Sequence, residues 1–110
     1  MEWINLRTED QLDELISKSA SRPQIIFKHS TRCSISALAK NRLDKETSPE
    51  EMDFYYLDLI NNRSLSNKVA EVFNVSHESP QVLVIKNGES IYDESHMGIT
   101  MKNITAQASW

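Results

Sequence analysis

Cysteine is almost missing from this 110-residue chain, which has Cys33 and no other. A lone thiol excludes an internal disulfide and any cage of several thiolates around a metal, and it suits a reducing compartment. Long apolar runs are missing too. Stretches such as Ile25 to Phe27 and Val82 to Ile85 fall far short of the roughly 20 residues that cross a bilayer. No charged segment followed by an apolar one opens the chain, so a cytoplasmic protein without a membrane partner is expected. With 2 Gly and 3 Pro, no repeat, linker or low-complexity segment stands out. What is present, 39% hydrophobic and 25% charged residues, fits one folded domain over residues 1–110 with a single core.

Acidic residues are absent from one stretch. The formal net charge of -4 argues only weakly against nucleic acid, and no nucleic-acid partner is expected. Between Ile16 and Leu43, however, there is no Asp or Glu, while Lys18, Arg22, Lys28, Arg32, Lys40 and Arg42 contribute +6. Cys33 sits inside this stretch. Ordinary solvated faces would explain the run equally well.

The pattern along the chain alternates. Trp3 to Leu6 reads as a short edge strand, and Thr8 with Gln11 has capping-box spacing ahead of a helix carrying Leu12, Leu15 and Ile16. Arg22-Pro23 stops that helix, and Gln24 to Lys28 is a buried strand. A second helix follows Cys33, with Ile35, Leu38, Ala39 and Leu43 as its apolar face and Lys40 and Arg42 turned outward. Asp53 to Leu59 is apolar enough for a strand covered on both sides. Ser64 caps a third helix that buries Leu65, Val69, Val72 and Phe73. Gln81 to Ile85, the Asn87-Gly88 turn and Ser90 to Asp93 make a hairpin, and Thr100 caps a last helix with Met101, Ile104 and Ala108. Strands separated by helices are expected to run parallel and the hairpin pair antiparallel. The fold class is therefore α/β, with a mixed sheet of four to five strands flanked by about four helices, which is the thioredoxin-like topology.

Cys33 stands where a buried strand gives way to a helix. The free N–H groups at a helix start and the helix dipole favour a thiolate, and Arg32, Lys28 and His29 lie near in sequence. Ser36, one turn on, is placed to donate a hydrogen bond to the sulfur. The bland alternative is a small buried hydrophobe, but a core cysteine has no need of a helix start. His29, His77 and His96 lack metal-ligand spacing with one another or with Cys33, so no metal is expected and each reads as solvated, although His77 and His96 lie on loops that can approach a groove. Asp58 reads as a strand-end cap or as a buried proton carrier. Trp3, Trp110 and the methionines read as core or terminal packing.

Cys33-Ser34-Ile35-Ser36 resembles the redox motif of thioredoxins and glutaredoxins, with Ser36 where the resolving cysteine stands, as in monothiol variants. Ser79-Pro80, 47 residues after Cys33, resembles the cis-proline of that superfamily. More narrowly, Phe27 to Ser36, with Ser79-Pro80, Asn87-Gly88 and Ser95-His96, is similar to the YtxJ family, the monothiol bacilliredoxins. That resemblance implies that Cys33 attacks mixed disulfides between client proteins and bacillithiol. The small thiol is then a co-substrate, and no bound cofactor is expected. An external thiol or reductase must regenerate Cys33. It further implies that Pro80 is cis, that the Ser79 backbone pairs with extended substrate, and that Thr31 lines the groove with Cys33. Ser34 departs from the family motif, which has proline there. Three other readings remain open at this stage. A [2Fe-2S] cluster bridged between protomers is disfavoured by Ser34-Ile35, where such proteins carry Gly-Phe. An inert thioredoxin-fold scaffold is the second. A peroxiredoxin lacks support because Ile26 occupies the place of its required proline.

Overall fold

The computed structural model describes residues 1–109, so the expectation for Trp110 lies outside the described residues. Five strands form one mixed sheet: β1 (Ile4–Asn5), β2 (Gln24–His29), β3 (Asp53–Asp58), β4 (Gln81–Lys86) and β5 (Glu89–Ser95), in the order β1-β3-β2-β4-β5. Four helices separate or follow them: α1 (Glu9–Lys18), α2 (Ser34–Asp44), α3 (Arg63–Phe73) and α4 (Met101–Ala108), with a short 3-10 turn at His96–Gly98. Among the described residues no helix is long and apolar enough to cross a membrane.

Alternation along the central strands decides which helix lies where, because successive side chains point to opposite faces. Ile25 and Phe27 of β2 join Phe54, Val82 and Val84 under α2 and α4. Ile26 joins Tyr55, Leu57, Leu83 and Ile85 under α1 and α3. Local signals start and stop these elements. Thr8 and Gln11 form the expected capping box on α1. The hairpin turns through Asn87 (φ 52) and Gly88 (φ 77), two positive-φ positions that suit an Asn-Gly pair. Its tip is fastened to the end of α1, where Ser19 receives both the Asn87 and the Gly88 N–H.

Several expectations need correction. β4 follows a helix, yet it pairs antiparallel with β2, Gln81 lying opposite Lys28. α3 and the residues after it therefore return the chain to the end of the sheet where β2 and β3 finish. On α2 the buried residues are Ser36, Ala39 and Leu43, whereas Ile35 and Leu38 are 43% and 56% exposed. Val72 is likewise exposed and Ser66 takes its place in the buried face of α3; Asn62, not Ser64, stands at the N-cap position of that helix, with no side-chain capping hydrogen bond. Met52 and Met101 are core residues, but Met97 is exposed. Trp3 does pack as expected, its ring 5.6 Å from that of Phe27.

Candidate active site around Cys33

The register of the sheet brings the distant parts of the site together. β2 ends at His29, β4 begins at Gln81 opposite Lys28, and β5 ends at Ser95 opposite Gln81. The segments just beyond these strand ends, Ser30 to Cys33, Ser79-Pro80 and His96, therefore share one end of the sheet. The Ser79-Pro80 peptide is cis, and the His96 N–H donates to the Pro80 carbonyl at 3.1 Å. His96 thus reaches the proline segment through its loop.

Cys33 is the N-cap residue of α2, in extended backbone (φ -112, ψ 120), and its side chain makes no capping hydrogen bond. Its N–H donates to Ser30 and its carbonyl accepts from Ala37, which holds the preceding turn against the helix. The thiol is half-buried, and Thr31, Arg32 and Ser34 around it are exposed. The N–H groups of the first helical turn after Cys33 have no acceptor within the helix. Ile35 is exposed one residue further on.

The cations that cluster in sequence do not cluster around the sulfur. Lys28 is fully buried and points to the opposite face, donating to the Ser66 carbonyl of α3. Arg22 pairs with Asp53 at the other end of the sheet, and Lys40 pairs with Asp44. Arg42, expected to turn outward, donates to the Met97 and Ile99 carbonyls. Arg32 alone of the six is both next to Cys33 and exposed.

Ser36 also departs from expectation. It is fully buried, accepts the Ser30 N–H at 3.0 Å and lies 2.6 Å from His29 Nδ1, so its hydroxyl is engaged beneath the site and not at the sulfur. His29, expected to be solvated, is 5% exposed, with its ring against Phe27 and Tyr56. Burial, aided by Lys40, pulls its pKa below the ordinary 6.5 against the opposing pull of Asp58 and Asp44. The signal that would have found it is strand alternation: His29 follows Ile25 and Phe27 on the face that α2 covers. His77, also expected to be solvated, lies 3.3 Å from the Lys28 amine on the other face. Asp58 does what a strand-end carboxylate does, accepting from the Ile60 N–H and the Asn61 amide. Ser79 Oγ is buried without a hydrogen-bond partner.

A hollow of about 710 Å³ opens at the far end of the sheet, lined by Arg22, Asp53 and the 44–50 loop. Cys33 is not among the residues lining it, and Thr31, Arg32, Ser34 and Ile35 beside the thiol are exposed.

Comparison with solved structures places this arrangement. A protein assigned as an oxidoreductase with a thioredoxin fold superimposes with a TM-score of 0.84 at 33% identity, covering 96% of this chain and 93% of the other. Thioredoxin from Malassezia sympodialis (Mala s 13) matches with a TM-score of 0.79 at 16% identity, over 98% and 92% of the two chains. Thioredoxin from Fasciola hepatica matches with a TM-score of 0.72 at 20% identity, over 94% and 97%. These last two share the fold. The family model described as monothiol bacilliredoxin BrxC matches residues 4–104. With its one thiol at the start of α2 and the thioredoxin fold around it, this chain belongs to the monothiol bacilliredoxin family and has a thiol redox role.

Proposed function

We propose that the protein removes bacillithiol from mixed disulfides on client proteins, with Cys33 as nucleophile. The Cys33 thiolate attacks the bacillithiol sulfur of the client disulfide. One S–S bond forms as another breaks, the client cysteine leaves as a thiolate, and Cys33 keeps the small thiol. No net oxidation occurs in this step. Because the chain has no second cysteine, an external thiol or reductase must attack the new disulfide to restore Cys33.

The observation that carries this reading is the position of Cys33, half-buried at the N-cap of α2, at the same sheet end as the cis Ser79-Pro80 peptide. Ile35 and Leu38, exposed on the first turns of that helix, offer apolar surface to a polypeptide client. Ser79, just outside β4, is the natural place for extended client backbone to pair. The working compartment of such an exchange is a reducing cytoplasm.

Intact mass spectrometry of wild type and Cys33→Ala, each incubated with a bacillithiol-modified client, tests the proposal. Wild type should gain the mass of the small thiol while the client loses it, and Cys33→Ala should leave the client modified. A wild-type protein that never gains the thiol while the client stays modified overturns it. A glutathione-modified client run in parallel separates bacillithiol preference from general deglutathionylation, a distinction that Ser34 makes relevant.

A further inference from the structure

Two residues before Ser79, His77 Nδ1 lies 3.3 Å from the amine of Lys28 and 3.4 Å from Ser66 Oγ, and the same amine donates to the Ser66 carbonyl of α3. Lys28 is fully buried and stands in register with Gln81, the first residue of β4. Desolvation pulls its pKa down to about 8, which leaves the amine charged at pH 7. An ammonium only donates, so His77 accepts at Nδ1 and carries its proton on Nε2. Burial, Lys28 and Arg63 lower the pKa of that ring below 6.5 against the pull of Glu78, which keeps it neutral. Burying a cation against neutral partners is costly, and an apolar side chain would fill the same space at lower cost. What the ammonium supplies is a directed bond from β2 to the segment ahead of Pro80.

That segment depends on such bonds. Among the described residues its other fastenings are the Gln81 amide, which donates to the Ser76 carbonyl at 2.9 Å, and the His96 N–H, which donates to the Pro80 carbonyl at 3.1 Å. The hydroxyl of Ser79 adds none, because Oγ has no partner. We infer that Lys28 is a positioning residue for the Ser79-Pro80 segment, acting through His77: the bond between these two side chains holds the strand that leads into Cys33 and the segment where client backbone pairs in one geometry. The inference rests on the exchange reading and deepens it, since it concerns how that site receives its client. A charge kept buried against the demands of stability is the kind of local conflict that functional sites retain.

The test is steady-state exchange of Lys28→Met, His77→Leu and His77→Gln with a bacillithiol-modified client, KM and kcat being read separately. Lys28→Met and His77→Leu each remove the bond and should raise KM about fivefold, the effect of one hydrogen bond, with kcat within about twofold of wild type. His77→Gln, whose amide oxygen accepts from the amine, should bring KM back to within about twofold of wild type. Unchanged KM in Lys28→Met and His77→Leu overturns the inference. So does a loss confined to kcat, which would place the effect at the sulfur, and so does a His77→Gln variant no better than His77→Leu. Folding of each variant is read from its thermal melt, and the two His77 variants decide the matter if Lys28→Met does not fold. Amide hydrogen exchange over residues 76–79, read by mass spectrometry, needs no client. Both bond-removing variants should speed it about fivefold while α1 and α4 exchange as in wild type, and an unchanged rate overturns the inference. Failure of these variants to differ from wild type, with intact exchange on the client, leaves the proposed function standing. A wild type that leaves the client modified removes the function, and amide exchange then decides the inference by itself.

Discussion

The amine of Lys28 lies 3.3 Å from His77 Nδ1 and 3.2 Å from the Ser66 carbonyl, so a fully buried cation joins β2 to α3 and to the loop that enters Pro80. No carboxylate forms a salt bridge with it among the described residues. Burying an uncompensated ammonium is costly, and desolvation pushes its pKa down from 10.5 to about 8.

That shift sets the sign of a stability profile. Between pH 8 and 10.5 the unfolded chain holds the Lys28 proton and the folded chain does not, so stability rises with pH across this window. Tyr55, pushed up to about 12, acts in the opposite sense only above pH 10, where the unfolded phenol ionises first. Urea unfolding of wild type should therefore show a higher midpoint at pH 9.5 than at pH 7.5. Lys28→Met should flatten that rise and, at pH 7, unfold with a free energy about 2 kcal/mol higher. A variant less stable at pH 7 with the slope retained would show that the buried amine is not the source.

Leu38, more than half exposed on α2, contributes little to the core, and the same helix holds the Met97 turn through Arg42. Leu38→Gln should change unfolding free energy by less than about 0.5 kcal/mol. Exchange with a thiol-modified protein should fall about five- to tenfold if this residue meets the client, while exchange with a small disulfide should be unchanged. Equal loss on both substrates would place the effect at the sulfur instead.

Ser34 is the first residue of α2, where an N–H has no acceptor within the helix, and Cys33 before it already has the backbone that precedes a proline, φ -112 and ψ 120. Ser34→Pro should thus fit, and it should stabilise by about 0.4 to 1 kcal/mol by restricting the unfolded chain. A rise in Tm of roughly 2–5 °C would follow. A fall in Tm would mean that the ring disturbs the turn from Ser30 to Cys33.

Elements governed by neighbouring residues were legible before the structure. The Thr8–Gln11 box, the strands of β-branched and aromatic residues and the Asn87-Gly88 turn all fall where local chemistry puts them. The reading failed where polarity and burial part company. Periodicity treats Ile35 and Leu38 as core, His29 reads as solvated and Ser36 as a donor to the sulfur; the structure exposes the first two and buries His29 and Ser36 against each other. A surface that meets partner proteins keeps apolar groups outside, and a hydrogen-bonded pair such as His29 and Ser36 can be buried at little cost because each satisfies the other.

The amino-acid sequence by itself determined that a lone thiol would stand at the junction of a strand and a helix, because strand patterning, the helix start and the position of Cys33 are all properties of adjacent residues. It left undecided which distant residues would surround that thiol. The antiparallel placement of β4 beside β2 carries Ser79-Pro80 to the Cys33 end of the sheet, and the pairing of β5 with β4 brings His96 to the same end. Those relationships belong to backbone hydrogen bonds between strands, β2 and β4 lying far apart in the chain, so only the tertiary structure could decide them.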